Sequence, residues 1–466
     1  MRYIPAFGVL CSAALVLEAC MVGPAYHRSD VVTPVAFKEA PAGWKLAAPG
    51  NALDRGPWWQ VYRDPVLNGL VAQVAINNQN LKAYAAAYRE ALAVVRESRA
   101  DLFPTLTLSP SVTRSRSSGA TTTTQSAEVS ASWDLDLWGK VRRQIESDKA
   151  SAQASAAELA DLTLSAQAEL VTDYFEMRYQ DSLGRLLNDT VRAYERSLKI
   201  TQNQYEAGTA ARSDVITAQS QLESTRASAI AAGELRAQYE HAIALLIGRP
   251  PADLTVVPGT LAQSVPAVPL LVPSALLERR PDIAEAERKM QQENALIGVA
   301  VAAYYPTVTL SASAGYSGAS PLFSASNTVW SLAASASQTL FNGGATSAAV
   351  DAARATYDQS VANYRQTVLA AFQNVEDQLS NLRILGRQAA AEAAAVRVAR
   401  QAVTISLNEY QAGTEAYTTV ITAQANALSA EESALQIQEN RLTASASLIE
   451  ALGGGWSIAQ LPQEAR

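Results

Sequence analysis

The chain has 466 residues, a formal net charge of −7 and only 17% charged residues. A single hydrophobic core rarely serves so long a chain, so the length indicates two domains or a duplicated unit. The negative charge and the absence of lysine and arginine clusters argue against nucleic acid as a partner. Hydrophobic residues make up 48%, but only 7 are Phe and 7 are Trp. This composition favours long helices that pack through small side chains.

Residues 1–19 are predicted to be an export signal. Arg2 precedes a short apolar stretch that ends in LEAC, whose last residue is Cys20. A small residue followed by cysteine is the pattern of bacterial lipoprotein processing. We therefore expect an N-acyl and S-diacylglycerol lipid on Cys20, and the alternative is a plain signal peptide followed by a free thiol. Glu18 is an unusual residue in this pattern, which leaves the efficiency of processing open.

The mature chain is predicted to contain a duplication. The segment YEAGTAARSDVITAQ, which starts at Tyr205, recurs from Tyr410 as YQAGTEAYTTVITAQ, with 10 of 15 positions identical. FPTLTLS at 103–109 likewise recurs as YPTVTLS at 305–311. A period of about two hundred residues indicates a duplicated domain rather than a short-period solenoid. The predicted divisions are an N-terminal segment 20–64, a first repeat 65–260, a second repeat 261–452 and a tail 453–466.

Each repeat is predicted to run helix, two strands, long helix, Gly-Thr turn and helix. No proline lies between Pro110 and Pro250 or between Pro321 and Pro462, so each window has room for a helix about 100 Å long. In the first repeat we expect strands at about 105–115 and 126–137, a long helix 140–206, a tip 207–213 and a helix 214–247. In the second we expect a helix 273–303, strands at about 306–316 and 328–341, a long helix 345–411, a tip 412–417 and a helix 418–451.

The four strand segments alternate between apolar and polar residues, and most of the polar residues are Ser or Thr. Their length of ten or more residues and their two-sided pattern fit outer-membrane strands; a soluble half-buried sheet is the alternative. Four strands cannot close a barrel, and open edges are not tolerated in lipid. Several copies of the chain must therefore share one barrel, which would have 8 strands in a dimer, 12 in a trimer or 16 in a tetramer.

The repeated turn has a simple structural explanation. Gly208 and Gly413 suit the left-handed conformation that ends a helix, and Thr209 or Thr414 is expected to cap the helix that follows. The retained VITAQ after each turn suggests in addition that something binds at both tips. Common ancestry of the two halves is the alternative explanation for that retention.

Several segments together resemble the TolC-like outer-membrane efflux proteins, in the lipoprotein branch that serves resistance-nodulation-division (RND) pumps. They are CMVGPAYHR after the signal, WWQVYRDPVLNGLVAQ at 58–73, LLERRPDIAEAE at 276–287 and ALIGVAVAAYYPTVTLS at 295–311. The resemblance implies a mostly α protein with β structure, in which a homotrimer forms a 12-stranded outer-membrane barrel with four strands per subunit. A 12-helix α-barrel of coiled-coil helices would continue the duct across the periplasm of a Gram-negative bacterium.

The resemblance also assigns roles to the tips, which would meet a periplasmic adaptor (a membrane fusion protein) and, through it, an inner-membrane RND pump. The implied adaptor-docking residues are Gly208, Thr209, Asp214, Tyr410, Gly413 and Thr414. The implied residues of the periplasmic aperture are Asp214, Glu415, Thr419 and Thr422. Thr422 stands where relatives commonly carry an aspartate, and Glu415 where some carry arginine, so gating here departs from the family pattern.

No pattern of catalytic residues is present, and we expect neither an enzyme nor a bound metal or cofactor apart from the lipid. The chain has 2 His and 2 Cys, and it lacks the HExxH and P-loop motifs. The leading hypothesis is therefore a passive exit duct for small molecules such as drugs. The duct of a type I protein-secretion system and a periplasmic coiled-coil scaffold lipoprotein without a pore are the alternatives.

Overall fold

The protein is described by a computed structural model over residues 21–40, 57–268, 273–319 and 321–461. The predicted signal and Cys20 lie outside these ranges. The described helices are α1 (Pro65–Asn77), α2 (Gln79–Ala100), α3 (Lys140–Glu206), α4 (Arg212–Leu246), α5 (Leu276–Arg279), α6 (Pro281–Ala302), α7 (Ala345–Gln411) and α8 (Tyr417–Ala451). The strands are β1 (Thr105–Ser117), β2 (Ala120–Leu135), β3 (Thr307–Gly318) and β4 (Thr328–Ser337).

Two helices of 67 residues each, α3 and α7, set the length of the molecule. At 1.5 Å per residue each is about 100 Å long. Helix α3 contacts α2, α4, α6 and α8, whereas α7 contacts α6 and α8. Small residues allow this close packing, since Ala150, Ala152, Ala154 and Ala157 of α3 are all buried. None of the described helices has an apolar stretch long enough to cross a membrane.

The four strands form one antiparallel sheet in the order β1-β2-β3-β4. Its register keeps each class of side chain on one face. Ala131 pairs with Leu106 and with Ala312, and Ala312 pairs with Leu332, so one face is apolar across all four strands. The neighbouring row, which holds Thr107, Ser130, Ser313 and Ser331, is polar throughout. Among the described residues, β1 and β4 each have one edge without a partner strand.

Two strand boundaries differ from the sequence-based expectation. Strand β2 begins at Ala120 instead of 126, because the TTTT run pairs with β1 although it lacks apolar alternation. The Ser118–Gly119 turn has positive φ at both positions, as a tight hairpin requires. Strand β4 ends at Ser337 instead of 341.

The helix expected at 273–303 is interrupted. A 3₁₀ turn and the short α5 precede Arg280, whose backbone is extended (φ −98°, ψ 122°), and α6 starts at Pro281. The cause is local, since a residue before proline is driven out of the helical region while proline itself suits the first helical position. The Arg280 guanidinium binds the Asp282 carboxylate at 2.6 Å and the Ala451 carbonyl at 3.0 Å. The break therefore ties α6 to the end of α8.

The main hydrophobic core lies midway along the long helices. It gathers the N-terminal turn around Trp58, the middle of α3 at Phe175, the end of α4 at Ile243 and the last turns of α8 at Leu442. Helices from both predicted repeats thus meet in one cluster.

Residues 21–40 run as an extended strap along α6 and α7. Arg28 donates to the Tyr364 hydroxyl (3.2 Å) and approaches the buried Glu287 carboxylate (3.7 Å). Further along, the Glu376 carboxylate accepts the backbone amides of Lys38 (2.7 Å) and Glu39 (2.9 Å). These contacts fix the strap from the sheet end of the helices to the core.

Three acidic groups near the core are buried or half-buried among the helices. Burial, together with the nearby carboxylate of Glu176 on α3, raises the pKa of Glu439 on α8 to about 7. Glu439 is only 1% exposed, and the Gln436 amide donates to it at 2.7 Å. Burial likewise raises the pKa values of Asp173 and Asp161 to about 7. At neutral pH these groups oppose the close packing of α3 with α8.

We expect the free energy of unfolding to fall as the pH rises from about 4.5, the ordinary pKa of a glutamate, through about 7. The folded state retains protons over this range that the unfolded chain has lost, so raising the pH favours unfolding. Glu439→Gln should remove part of this slope, measured as the midpoint of urea unfolding at pH 5 and pH 8. Glu90→Gln, an exposed control on α2, should keep the wild-type slope. A Glu439→Gln variant with the wild-type slope would contradict the assignment.

Candidate functional site: the two helical hairpin tips

The first tip joins α3 to α4 through a compact turn. Gly208 has φ 75°, the left-handed conformation that glycine adopts without strain. Its amide donates to the Tyr205 carbonyl (2.9 Å), and the Thr209 amide donates to the Gln204 carbonyl (2.9 Å). This pair of bonds is the Schellman arrangement that satisfies the last carbonyls of a helix.

The second tip repeats the arrangement between α7 and α8. Gly413 has φ 73°; its amide donates to the Tyr410 carbonyl at 3.1 Å, and the Thr414 amide donates to the Glu409 carbonyl at 3.0 Å. The duplication therefore preserves backbone geometry as well as sequence. Both turns are fully exposed at the ends of the longest helices.

The expectation that the tip threonines cap the following helix is wrong. The Thr209 and Thr414 hydroxyls donate backward, to the carbonyls of Gln204 and Glu409, each at 3.0 Å. The αL glycine turns the chain so that the next side chain faces the helix that is ending. The residues that precede α4 and α8 are Ala211 and Ala416, which have no side-chain acceptor.

Different acids accept the backbone amides of these two alanines. In the first, the Asp214 carboxylate inside α4 accepts the Ala211 amide at 3.4 Å. In the second, Thr419 occupies the corresponding place, and Glu415 accepts both the Ala416 amide (3.1 Å) and the Thr419 hydroxyl (2.7 Å). These bonds hold the pKa of Glu415 below its ordinary value. Both acids therefore favour helix starts, where negative charge is stabilising.

A buried tyrosine pair distinguishes the second tip from the first. Tyr410 is 6% exposed and its ring lies 5.0 Å from that of Tyr417, which is 4% exposed. Val420 and Ala218 complete the cluster, so it joins α8 to α4 of the other hairpin. Tyr205, the first-repeat counterpart of Tyr410, is 46% exposed.

Sequence reasoning identified Tyr410 but missed its partners. Tyr417 stands where the first repeat has Arg212. This difference between two otherwise matched segments was the signal in the sequence that could have identified Tyr417.

Two side-chain amides also bridge the hairpins. Gln204 donates to the Tyr410 carbonyl (3.3 Å), and Gln424 donates to the buried Ser197 hydroxyl (2.9 Å). Neighbouring tips of one subunit are thus held together.

The predicted aperture residues lie near these bonds but do not form one cluster. Asp214 is half-buried in the first turn of α4, whereas Glu415, Thr419 and Thr422 are exposed at the start of α8. The Thr422 hydroxyl donates to the carbonyl of Thr418 (2.9 Å), four residues earlier. Whether these side chains surround an aperture depends on further copies of the chain and stays a prediction.

A sheet with one apolar and one polar face, continued by 67-residue helices that end in paired tips, defines an outer-membrane channel protein that extends into the periplasm. The profile of the outer membrane efflux protein family matches residues 70–249 and 272–454. The chain belongs to this family. The matched regions correspond to the two repeats.

Named relatives agree with this assignment along almost the whole chain. The chain is 31% identical to the pyoverdine export outer membrane protein OpmQ of Pseudomonas aeruginosa, over 96% of both chains. It is 29% identical to the probable efflux pump outer membrane protein TtgC of Pseudomonas putida, over 96% of this chain and 95% of that one. It is 30% identical to the cation efflux system protein CusC of Escherichia coli, over 95% and 97% respectively.

Solved structures show the same fold. The outer-membrane channel OprN superposes with a TM-score of 0.87 and 29% identity, over 94% of this chain and all of that one. The structure of CusC superposes with a TM-score of 0.84 and 26% identity, over 93% of this chain and all of that one. Sequence and structure thus place the chain among channel proteins.

Tyr417→Ala should loosen the second tip, because truncation of a buried aromatic residue costs about 3–5 kcal/mol. We expect faster hydrogen exchange at the backbone amides of residues 405–420, measured by mass spectrometry. Arg212→Ala changes the matched position of the first tip, where the side chain is exposed, and should leave exchange there nearly unchanged. Equal effects of the two substitutions would contradict the proposed difference in rigidity.

Proposed function

We propose that the protein is the passive exit duct of a tripartite efflux system and carries small molecules from a periplasmic pump–adaptor assembly to the outside. The observation that carries this proposal is the two-faced sheet with unpaired outer edges. Its apolar face suits lipid, and its polar face, lined with Ser and Thr, suits a water-filled lumen. The hydroxyls of Ser313 and Ser331 bond at 3.0 Å, and Thr309 donates to Asp134 at 2.6 Å, so polar groups on that face are paired.

The unpaired edges support a homotrimer. In hydrocarbon each exposed backbone amide or carbonyl costs several kcal/mol, so β1 and β4 require strands from other copies. Large apolar side chains on these edge strands are exposed, among them Leu106 and Leu108 on β1 and Trp330 and Leu332 on β4. A trimer contributes twelve strands. Of the three strand numbers that the sequence allows (8, 12 and 16), the family assignment supports this one.

The helices support a periplasmic duct that ends at a docking surface. Twelve long helices from three subunits would enclose a tunnel, and the six tips would present the two exposed Gly-Thr turns to an adaptor and, through it, to an RND pump. The relatives include a pyoverdine export protein and a cation efflux protein. Such varied cargoes on one fold support a duct whose substrate is chosen by its inner-membrane partner.

We propose in addition that a lipid on Cys20 anchors the chain. The position of Met21 supports this proposal. The backbone amide of the next residue, Val22, donates to the Trp138 carbonyl (3.0 Å), where the sheet joins the helices. A lipid attached one residue earlier would start at the level where the strands end. Trp138 stacks on Tyr305 there with ring centroids 4.8 Å apart, as interfacial aromatic residues do.

Ala312→Arg should strongly reduce assembly in the outer membrane. It places a charge on the apolar face of β3, where arginine costs about 2–4 kcal/mol at the bilayer midplane. Ser313→Arg, one residue along, places the same side chain on the polar face and should be tolerated. The measurement is the amount of detergent-resistant oligomer in outer-membrane fractions. Equal tolerance of both substitutions would contradict a lipid-facing apolar side.

A photo-crosslinking residue in place of Ala211, in living cells, should capture a periplasmic adaptor, because this position is exposed at the first tip. The same residue in place of Ser228, exposed on α4 well away from the tip, is the matched control and should not capture it. Mass spectrometry identifies the captured protein. Capture of a secretion-system adaptor would instead favour the protein-secretion duct. No capture from a correctly inserted protein would count against a docking tip.

A further inference from the structure

A cavity of about 660 Å³ lies where the sheet meets the helices. Its walls come from the end of α2 and the loop after it, from the first four turns of α3, and from Gln291 on α6. Phe103 in this wall is two residues before β1 begins, so the cavity lies directly below the strands. We call it the junction cavity. It is far from the tips and belongs to neither docking nor gating.

Met21 lines the junction cavity, and its backbone is held there. Besides the bond from Val22 to Trp138, the Arg143 guanidinium donates to the Val22 carbonyl (3.1 Å) and the Gly23 carbonyl (3.2 Å). Gly139 leaves room for this arrangement, since a Cβ at that position would lie 2.5 Å from Met21 Cγ. Consecutive Cα atoms are about 3.8 Å apart. A group carried by the preceding residue is therefore tethered to Met21 by a single peptide unit.

The walls of the junction cavity combine apolar surface with positive charge. Leu102, Phe103, Ile145 and Ala150 give it apolar walls, and the Phe103 side chain is 69% exposed. Three cations, Arg99, Arg142 and Lys149, also line it. The Arg142 guanidinium is bound to the Asp136 carboxylate at 3.0 Å, and the single acid in the lining, Glu146, is paired with Arg143 at 2.7 Å. An occupant with hydrocarbon chains fits the apolar walls, and the exposed Lys149 ammonium offers a donor to an acceptor such as an ester carbonyl.

We propose that the junction cavity binds an acyl chain of the lipid carried by this chain's own Cys20 along its apolar walls. The inference rests on the lipid attachment proposed above. A tether of one residue favours this occupant over free bilayer lipid, because a short linker gives an effective concentration in the millimolar range or above. The lipid then acts as a bound ligand that joins α2 and α3 beneath the strands, in addition to its role as an anchor.

The test uses the full-length protein in living cells that are fed a fatty acid carrying a diazirine and an alkyne. After irradiation, the protein is purified from outer membranes and digested, and lipid-crosslinked peptides are identified by mass spectrometry. We expect the Cys20 peptide to be crosslinked to peptides from 99–103 or 142–153. Leu102→Trp, which fills the cavity, should lower this yield several-fold. Leu235→Trp, at an exposed site on α4, is the matched control and should not.

Each other outcome overturns the proposal in a distinguishable way. Labelled Cys20 without crosslinks to the cavity would show that the lipid lies elsewhere, and the proposed duct would stand. Cavity peptides that carry the mass of a phospholipid would assign the cavity to bilayer lipid. Unlabelled Cys20 would remove the ligand itself and refute lipid attachment, whereas the duct is tested separately by capture at the tip. An unchanged yield in Leu102→Trp would show that crosslinking does not depend on the cavity.

Discussion

The rest of the structure depends on one constraint, which is that backbone amides and carbonyls in hydrocarbon must be hydrogen-bonded. The sheet meets it internally along β2 and β3, which pair on both sides. The outer edges of β1 and β4 have no partner strand among the described residues. The proposed oligomer would pair them, and the long helices below would follow the same symmetry.

At the junction between the sheet and the helices, the chain changes from an extended strand to an α-helix within a few residues. Asp136 follows β2 directly and accepts the backbone amides of Val141 and Arg142, each at 3.0 Å, so it ends the strand and starts α3 in five residues. The strap reinforces this point through Arg143, and the Trp138 indole donates to the Pro306 carbonyl (2.7 Å) of the second repeat. Strand placement in one half is thus coupled to helix placement in the other.

The two tips share their backbone geometry but differ in their side-chain contacts. Backbone geometry, set by Gly208 and Gly413, is the same in both. Side chains differ, since buried Tyr417 stabilises the second tip where Arg212 leaves the first exposed. The same backbone turn is therefore packed against buried aromatic side chains in one tip and exposed in the other.

Local rules in the sequence by themselves determined the long proline-free helices, the left-handed glycines and the two-faced strands, because each depends on residue type and spacing alone. Tertiary structure decided what spacing does not encode. The direction of the Thr209 hydroxyl and the pairing of the TTTT run in β2 depend on the backbone geometry of their turns, which residue type alone does not specify. The burial of Glu439 beside Glu176 depends on contact between segments far apart in the chain. The partners of Tyr410 belong to the same group, since Ala218 and Tyr417 reach it only once two hairpins pack side by side.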